Sequence, residues 1–317
     1  MDQDDNISTS NSSYGQNTTL TLDLASDCIP WLVISITECL AIVICNLITV
    51  IVFVKQRQLQ RRSTYLIIHL AIVDLLFGAV SGPVIISDLL GSYCDLWKYN
   101  TEIFPLANLF PVTSIVNLAV ISLERLHATF SPFKHRFVKK WVYGVVIGTI
   151  WLMTSSRETV QVIVYNTKSV VSPVTIAISP YTYWSVSLLV ICICYISIFI
   201  KVRRSSNPQR HGAINRERKL TATLLWVTLA SLLTWLPFIV FSLNTNALNL
   251  RSFFHIRMTL AALVGANSLL NPVVYALRMP DFRDGICRIF RRTPRQIAPG
   301  SLPRRNPLHT SRLDDDA

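Results

Sequence analysis

Apolar residues gather into runs of roughly 20 positions along most of this chain, and those runs set its architecture. Stretches long enough to cross a hydrocarbon core fall near 30–54, 64–90, 101–127, 141–163, 181–202, 220–243 and 255–277. Each predicts a transmembrane helix, because backbone facing lipid must satisfy its own hydrogen bonds. The polar connections are short; the longest, near 200–219, contains Asn207, Pro208 and Gly212 and reads as a flexible loop. Beyond the seventh run, Phe282, Ile286, Ile289 and Phe290 share a helical face, with Arg283, Arg288, Arg291 and Arg292 around it. That pattern predicts an interfacial helix over 279–292. The expected organisation is an N-terminal segment 1–29, a bundle 30–278, the interfacial helix, and a tail 293–317 too rich in Pro and Arg to order itself. The fold class is all-α: seven transmembrane helices and a short eighth. No pair of broken spans recurs in two halves, which counts against an inverted-repeat transporter.

Composition agrees, with 51% hydrophobic and 15% charged residues, where soluble domains carry about a quarter charged. The net charge of +12 raises nucleic acid as a partner, but its distribution excludes it. Four Lys and Arg fall after the first span, four after the third, seven between Lys201 and Lys219, and nine from Arg278 onward. The alternate loops hold few. The positive-inside rule therefore places the N-terminus outside and the C-terminus in the cytoplasm, with membrane lipids as the surroundings. Acceptor sequons at Asn6, Asn11 and Asn17 then lie outside, as expected of N-glycosylation. The first 29 residues lack a basic segment followed by an apolar one, so the first span is expected to act as its own insertion signal. Cys28 and Cys94 are the two cysteines outside, one pair available for a disulfide, while Cys287 is placed for palmitoylation.

Ionisable and amide side chains inside a span need a partner or a role. Asp74 stands in the run Leu70–Leu76, Asn46 in the first span, and Asn271-Pro272-Val273-Val274-Tyr275 closes the seventh. Glu124-Arg125-Leu126 ends the third, Trp151 lies in the fourth, Tyr195 in the fifth, and Thr234-Trp235-Leu236-Pro237 in the sixth. This ordered set, with Phe282 beyond it, resembles the rhodopsin-like family of G-protein-coupled receptors from about residue 30 to 290.

The resemblance implies a non-enzymatic plasma-membrane receptor, with an extracellular ligand, a heterotrimeric G protein and arrestin as partners. It implies an allosteric sodium ion held by Asp74, Ser114, Asn267, Ser268 and Asn271, with a protonated Asp74 in a water network as the alternative. Arg125, beside Glu124, is expected to pair with Glu217 in the resting state and to meet Tyr195 and Tyr275 when the sixth span moves outward. Trp235 and Pro237 match a rotamer switch and hinge, Pro272 a break in span seven, and His69, Asn117 and Trp151 a structural tie.

Departures from the family pattern narrow the ligand. Asn100 stands where the third span usually carries a disulfide cysteine, the loop 164–180 has no cysteine, Ser187 replaces a proline, and Ser231 replaces a phenylalanine, leaving Ile115 of the usual transmission set. Such losses resemble the branch of melanocortin, lysophospholipid, cannabinoid and adenosine receptors. Ala107 removes the amine-pairing Asp and Gly265 the retinal-binding Lys. Val84, Asn100 and Phe104 replace the melanocortin acids, and Ile103 with Phe104 the lysophospholipid Arg-Glu pair. What remains is an outer cavity of Phe104, Phe110, Trp184, Phe238 and Phe241, with Ala107 and Asn108 at its base. Asp88, Glu102, Arg157, Glu158, His255 and Arg257 are expected to ring it, Arg157 and Glu158 pairing at the membrane interface. An apolar pocket with few polar groups suits a small molecule or lipid. A constitutively active or decoy receptor remains an alternative through Ser187 and Ser231, and a seven-span channel or transporter stands further off.

Overall fold

The computed structural model describes residues 12–56, 59, 64–94, 104–167, 173–204, 229, 231–241 and 250–290. Helix α1 spans Ser12–Lys55. The second span consists of α2 (Thr64–Leu76), a π-helical turn over Phe77–Ser81, and α3 (Gly82–Cys94). Next come α4 (Phe104–Phe130), the single turn α5 (Pro132–His135), α6 (Lys140–Thr167) and α7 (Pro173–Arg204). The chain continues through α8 (Ser231–Phe241), α9 (Leu250–Arg278) and α10 (Pro280–Phe290). Glu102, Glu217, Asn100, Asn6, Asn11 and the tail 293–317 lie outside the described residues, as do the side chains of Asn17 and Phe104.

Among the described residues, five stretches are both long and apolar enough to cross a bilayer: Asp27–Lys55, Thr64–Ser92, Pro105–Phe130, Thr182–Lys201 and Arg251–Arg278. Helix α6 has 28 residues and so the length, about 42 Å at 1.5 Å per residue, but its polar run Thr154–Thr159 dilutes its apolarity. Much of the predicted sixth span falls outside the described residues. Helix α1 begins well before position 30, with Pro30 in its interior, because a helix once nucleated extends cheaply into polar sequence.

The molecule is apolar on its outside. Leu152, Leu233 and Leu277 are 72%, 74% and 76% exposed, a surface that hydrocarbon rather than water must cover. Its interior gathers the polar groups: Asn46, Thr49, Asp74, Thr113, Ser114, Asn117 and Asn271 are all buried. Helix α4 is central, packing on α2, α3, α6 and α7, while α1 packs on α2, α3, α9 and α10.

Two breaks shape the bundle. In the second span the N–H of Gly82 donates to the carbonyl of Phe77, five residues back, next to Pro83, which has no N–H. The extra residue rotates the face of α3 by about 100° relative to α2. Gly78 in this turn lies against α1, where a Cβ would stand 2.9 Å from Cγ2 of Ile42 and 3.0 Å from the carbonyl oxygen of Cys39. In α9, Pro272 cannot donate to the carbonyl of Ser268 one turn back. The Nδ2 of Asn46 donates there instead, at 3.1 Å, and also to the carbonyl of Ile42 at 3.0 Å. One helix thus closes the gap in another, as a water-free interior requires.

At one end, Phe53, Tyr275 and Phe282 meet with ring centroids 5.3 Å (Phe53–Phe282), 5.7 Å (Phe53–Tyr275) and 6.0 Å (Tyr275–Phe282) apart, joining α1, α9 and α10. At the other, a disulfide links Cys28 of α1 to Cys94 at the end of α3, with their Cα atoms 6.3 Å apart.

Candidate functional site

Asp74 is completely buried at the meeting point of α2, α4 and α9. Ser114 Oγ donates to its Oδ1 at 2.8 Å, Ser268 Oγ to the same oxygen at 2.9 Å, and Asn271 Nδ2 to Oδ2 at 2.7 Å. Two helices, α4 and α9, are thereby hydrogen-bonded to one carboxylate on a third, α2. Asn267 lies nearby in sequence, with its buried Oδ1 lacking a hydrogen-bond partner among the described residues. A carboxylate, two hydroxyls and an orphaned amide oxygen are the oxygen donors that a hard cation takes, so this set fits sodium. Asn271 is the exception. It turns its amide nitrogen to Asp74, so it supports the carboxylate and does not offer an oxygen.

A second cluster forms where α4 meets α5. Arg125 is 1% exposed and ion-paired with Glu124, whose Oε2 accepts from Arg125 Nε at 2.5 Å. The other carboxylate oxygen lies 2.6 Å from His135 Nε2 on α5 and accepts from Tyr143 of α6 at 3.4 Å. Glu124 therefore holds Arg125 from one side and the turn after α4 from the other. His135 had no place in the sequence pattern, since a histidine in a short loop carries no periodic signal. Tyr195 and Tyr275 are both buried in the hydrophobic cluster at this end, and the Tyr275 hydroxyl has no hydrogen-bond partner among the described residues.

Further along the bundle, Trp235 of α8 is buried against Trp184 of α7, with ring centroids 5.3 Å apart, and against Phe238 at 6.3 Å. Trp184 and Phe238 meet edge to face at 5.1 Å. Val112 and Ile115 of α4 and Val264 of α9 complete this cluster. Pro237 follows Trp235 by two residues in α8. Ala107 is buried and Asn108 half-buried on α4. His69 stacks edge-on against Trp151 at 5.9 Å, and Asn117 donates Nδ2 to the carbonyl of Leu66 at 3.1 Å.

The polar ring expected around the cavity is only partly assembled. Asp88 is half-buried and accepts from Ser92 at 3.4 Å. Arg257 lies over the ring of Phe253 at 5.8 Å, and Phe253 stacks on Phe241 at 5.7 Å. His255 turns away toward α1: its Nδ1 accepts from Trp31 Nε1 at 3.0 Å, and its Nε2 is 3.5 Å from Asp27, which also pairs with Arg251 at 2.7 Å. Together with the disulfide, this link ties the Asp27–Trp31 part of α1 to α3 and α9. Arg157 and Glu158 do pair with each other, and both are buried, 3% and 7% exposed. The rotation of α6 turns them into the bundle, where Arg157 also lies 5.9 Å over the ring of Tyr183. Sequence reasoning missed Glu38, a carboxylate inside α1; its signal was one acidic residue in the apolar run before Asn46. Cys287 is exposed on α10.

Residues 45–275 match the family model described as 7 transmembrane receptor (rhodopsin family). The human histamine H2 receptor is 28% identical over 288 residues, covering 81% of this chain and 79% of that protein. A QRFP-like peptide receptor of Branchiostoma floridae is 24% identical, covering 86% of this chain and 81% of the relative. The human substance-K receptor is also 24% identical, over 78% of this chain and 69% of that protein. These relatives span amine and peptide receptors, a breadth that singles out no branch.

Proposed function

Because the chain belongs to the rhodopsin family of seven-transmembrane receptors, a family of receptors and not enzymes, we propose a specific division of labour between its two ends. The N-terminus is outside, a small-molecule or lipid ligand binds toward the Cys28–Cys94 end, and a heterotrimeric G protein engages the Arg125 end once α8 moves outward. Arrestin is a further partner of that same surface.

The observation that carries this reading is the buried Arg125 clasped by Glu124, which is itself held by His135 and Tyr143. A guanidinium kept in the interior at a helix end is stable only while its partners stay in place. Any displacement that frees it presents a cation to an incoming protein. Glu217 at the foot of the sixth span is its second resting partner. Trp235, packed between Trp184 and Phe238 beside Pro237, is where ligand binding tilts α8.

Asp74 lies between these two ends. Asp74, Ser114, Asn267 and Ser268 would hold a sodium ion, which would add a compact positive charge to a buried carboxylate that already accepts three hydrogen bonds. Asn271 keeps the carboxylate oriented. By joining α2, α4 and α9, this hub favours the closed packing, and a ligand shifts the balance only by binding the open packing more tightly.

The test is nucleotide exchange on purified heterotrimeric G proteins, catalysed by the full chain in lipid nanodiscs, beside ion flux across liposomes holding the same protein. Exchange without flux is the expected result. Flux without exchange would make the chain a channel or transporter.

A further inference from the structure

The single turn α5 is tied to the end of α4 through its backbone. The N–H of Ser131 donates to the carbonyl of His127 at 2.9 Å, and that of His135 to the carbonyl of Ser131 at 3.0 Å. This places the His135 ring edge-on to that of His127, with centroids 5.7 Å apart, and its Nε2 2.6 Å from Oε1 of Glu124. An ionised carboxylate oxygen only accepts, so Nε2 carries a proton whether the ring is neutral or charged. Tyr143 of α6 donates to the same oxygen at 3.4 Å, while Arg125 of α4 holds Oε2. His127, Lys134 and Arg136 are the remaining titratable or charged groups beside the ring, and all three are exposed.

Glu124 thus stands between one permanent cation and one group that charges only when it takes a second proton. The side chain of His135 is 18% exposed, against 1% for Arg125, so protons from solution reach the histidine while the guanidinium is shut in. With a neutral ring, departure of Arg125 leaves a carboxylate 11% exposed with two hydrogen bonds and no counter-charge, an unfavourable arrangement. With a charged ring, the ion pair survives the departure.

We propose that His135 is the replacement partner of Glu124: when charged it takes over the carboxylate that Arg125 leaves, so that acid on this side of the membrane favours release of the guanidinium. The proposal rests on the reading of Arg125 as the group presented to a G protein, and adds a positioning residue that acts through Glu124. Its sign follows from linkage. While Arg125 is in place, it opposes a second cation and shares the charge of Glu124; once it leaves, the ring binds its proton more tightly, and protonation therefore promotes leaving.

Two measurements on the full chain in nanodiscs test this. The first follows the ring signals of histidines labelled with carbon-13 against pH, His135 being assigned as the signal lost in His135→Gln. Arg125→Gln is expected to move the His135 midpoint upward by about one pH unit, a tenfold gain in proton affinity. An unmoved or lowered midpoint would overturn the proposal. The second reads basal nucleotide exchange on a heterotrimeric G protein between about pH 8 and pH 6, the range in which a histidine changes charge, relative to the G protein alone. Exchange by the wild type is expected to rise several-fold as pH falls. His135→Gln, whose amide can still donate at the Nε2 position but cannot charge, is expected to keep exchange and lose the rise. An equal rise in this variant would overturn the proposal, because Glu124 or another group would then be taking the proton. Absence of exchange at every pH would instead count against the receptor reading, and the titration would decide the competition for Glu124 by itself.

Discussion

Asn46 shows how much one side chain can carry in a lipid-facing fold. Its Nδ2 serves the carbonyl that Pro272 leaves without a donor, so Asn46→Ala strands a buried acceptor at a cost of about 1–3 kcal/mol. In a Pro272→Ala background the helix N–H returns, and the same substitution is expected to cost less. A double-mutant cycle on melting temperature in detergent checks this, and additive losses would contradict it. Asp74 is the other residue on which much depends. Melting in sodium is expected to exceed melting in an organic cation for the wild type, and Asp74→Asn is expected to abolish the difference, because it removes the site's full negative charge. Both residues were legible in the sequence, since amides and acids inside apolar runs stand out. Glu38 carried the same signal in the first run and was missed; what the pattern does not say is whether a neighbouring helix offers it a partner.

At the scale of elements, the seven apolar runs announced the helices, and the basic amphipathic stretch announced α10, which lies over Pro280–Phe290. The π-turn at Phe77–Ser81 was beyond sequence reading. Gly82-Pro83 signals a disturbance, but whether the helix kinks, breaks or gains a residue depends on what packs against it, here Ile42 and Cys39 of α1. The burial of Arg157 and Glu158 was hidden for a related reason: neighbouring residues point differently only once the rotation of α6 is fixed by α4. The link between Cys28 and Cys94 fastens α1 to α3 across a separation of 66 residues. Replacing either cysteine by Ser is expected to cost about 2–4 kcal/mol and to lower surface expression. Non-reducing peptide mapping checks the pairing itself, and two free thiols would refute it.

For the whole molecule, two separate buried polar clusters, Asp74 with its donors and Glu124–Arg125–His135, hold helices together, with the aromatic packing around Trp235 as a third contact. The family was readable because these positions fall in order along successive spans. The ligand was not, because pocket chemistry depends on which faces converge, and His255 turning toward Trp31 shows how a residue counted toward the cavity can serve another contact. The latch is the central claim, and its two sides act differently. Glu217→Ala would remove the proposed resting partner of Arg125 while leaving Glu124 in place, whereas Arg125→Ala would remove the group that the proposed open state presents. Simple destabilisation of the bundle would lower signalling in both. The most direct measurement is basal nucleotide exchange on a heterotrimeric G protein by the two variants at matched amounts in nanodiscs. Exchange above wild type for Glu217→Ala and none for Arg125→Ala is the predicted result, and equal loss in both would contradict it.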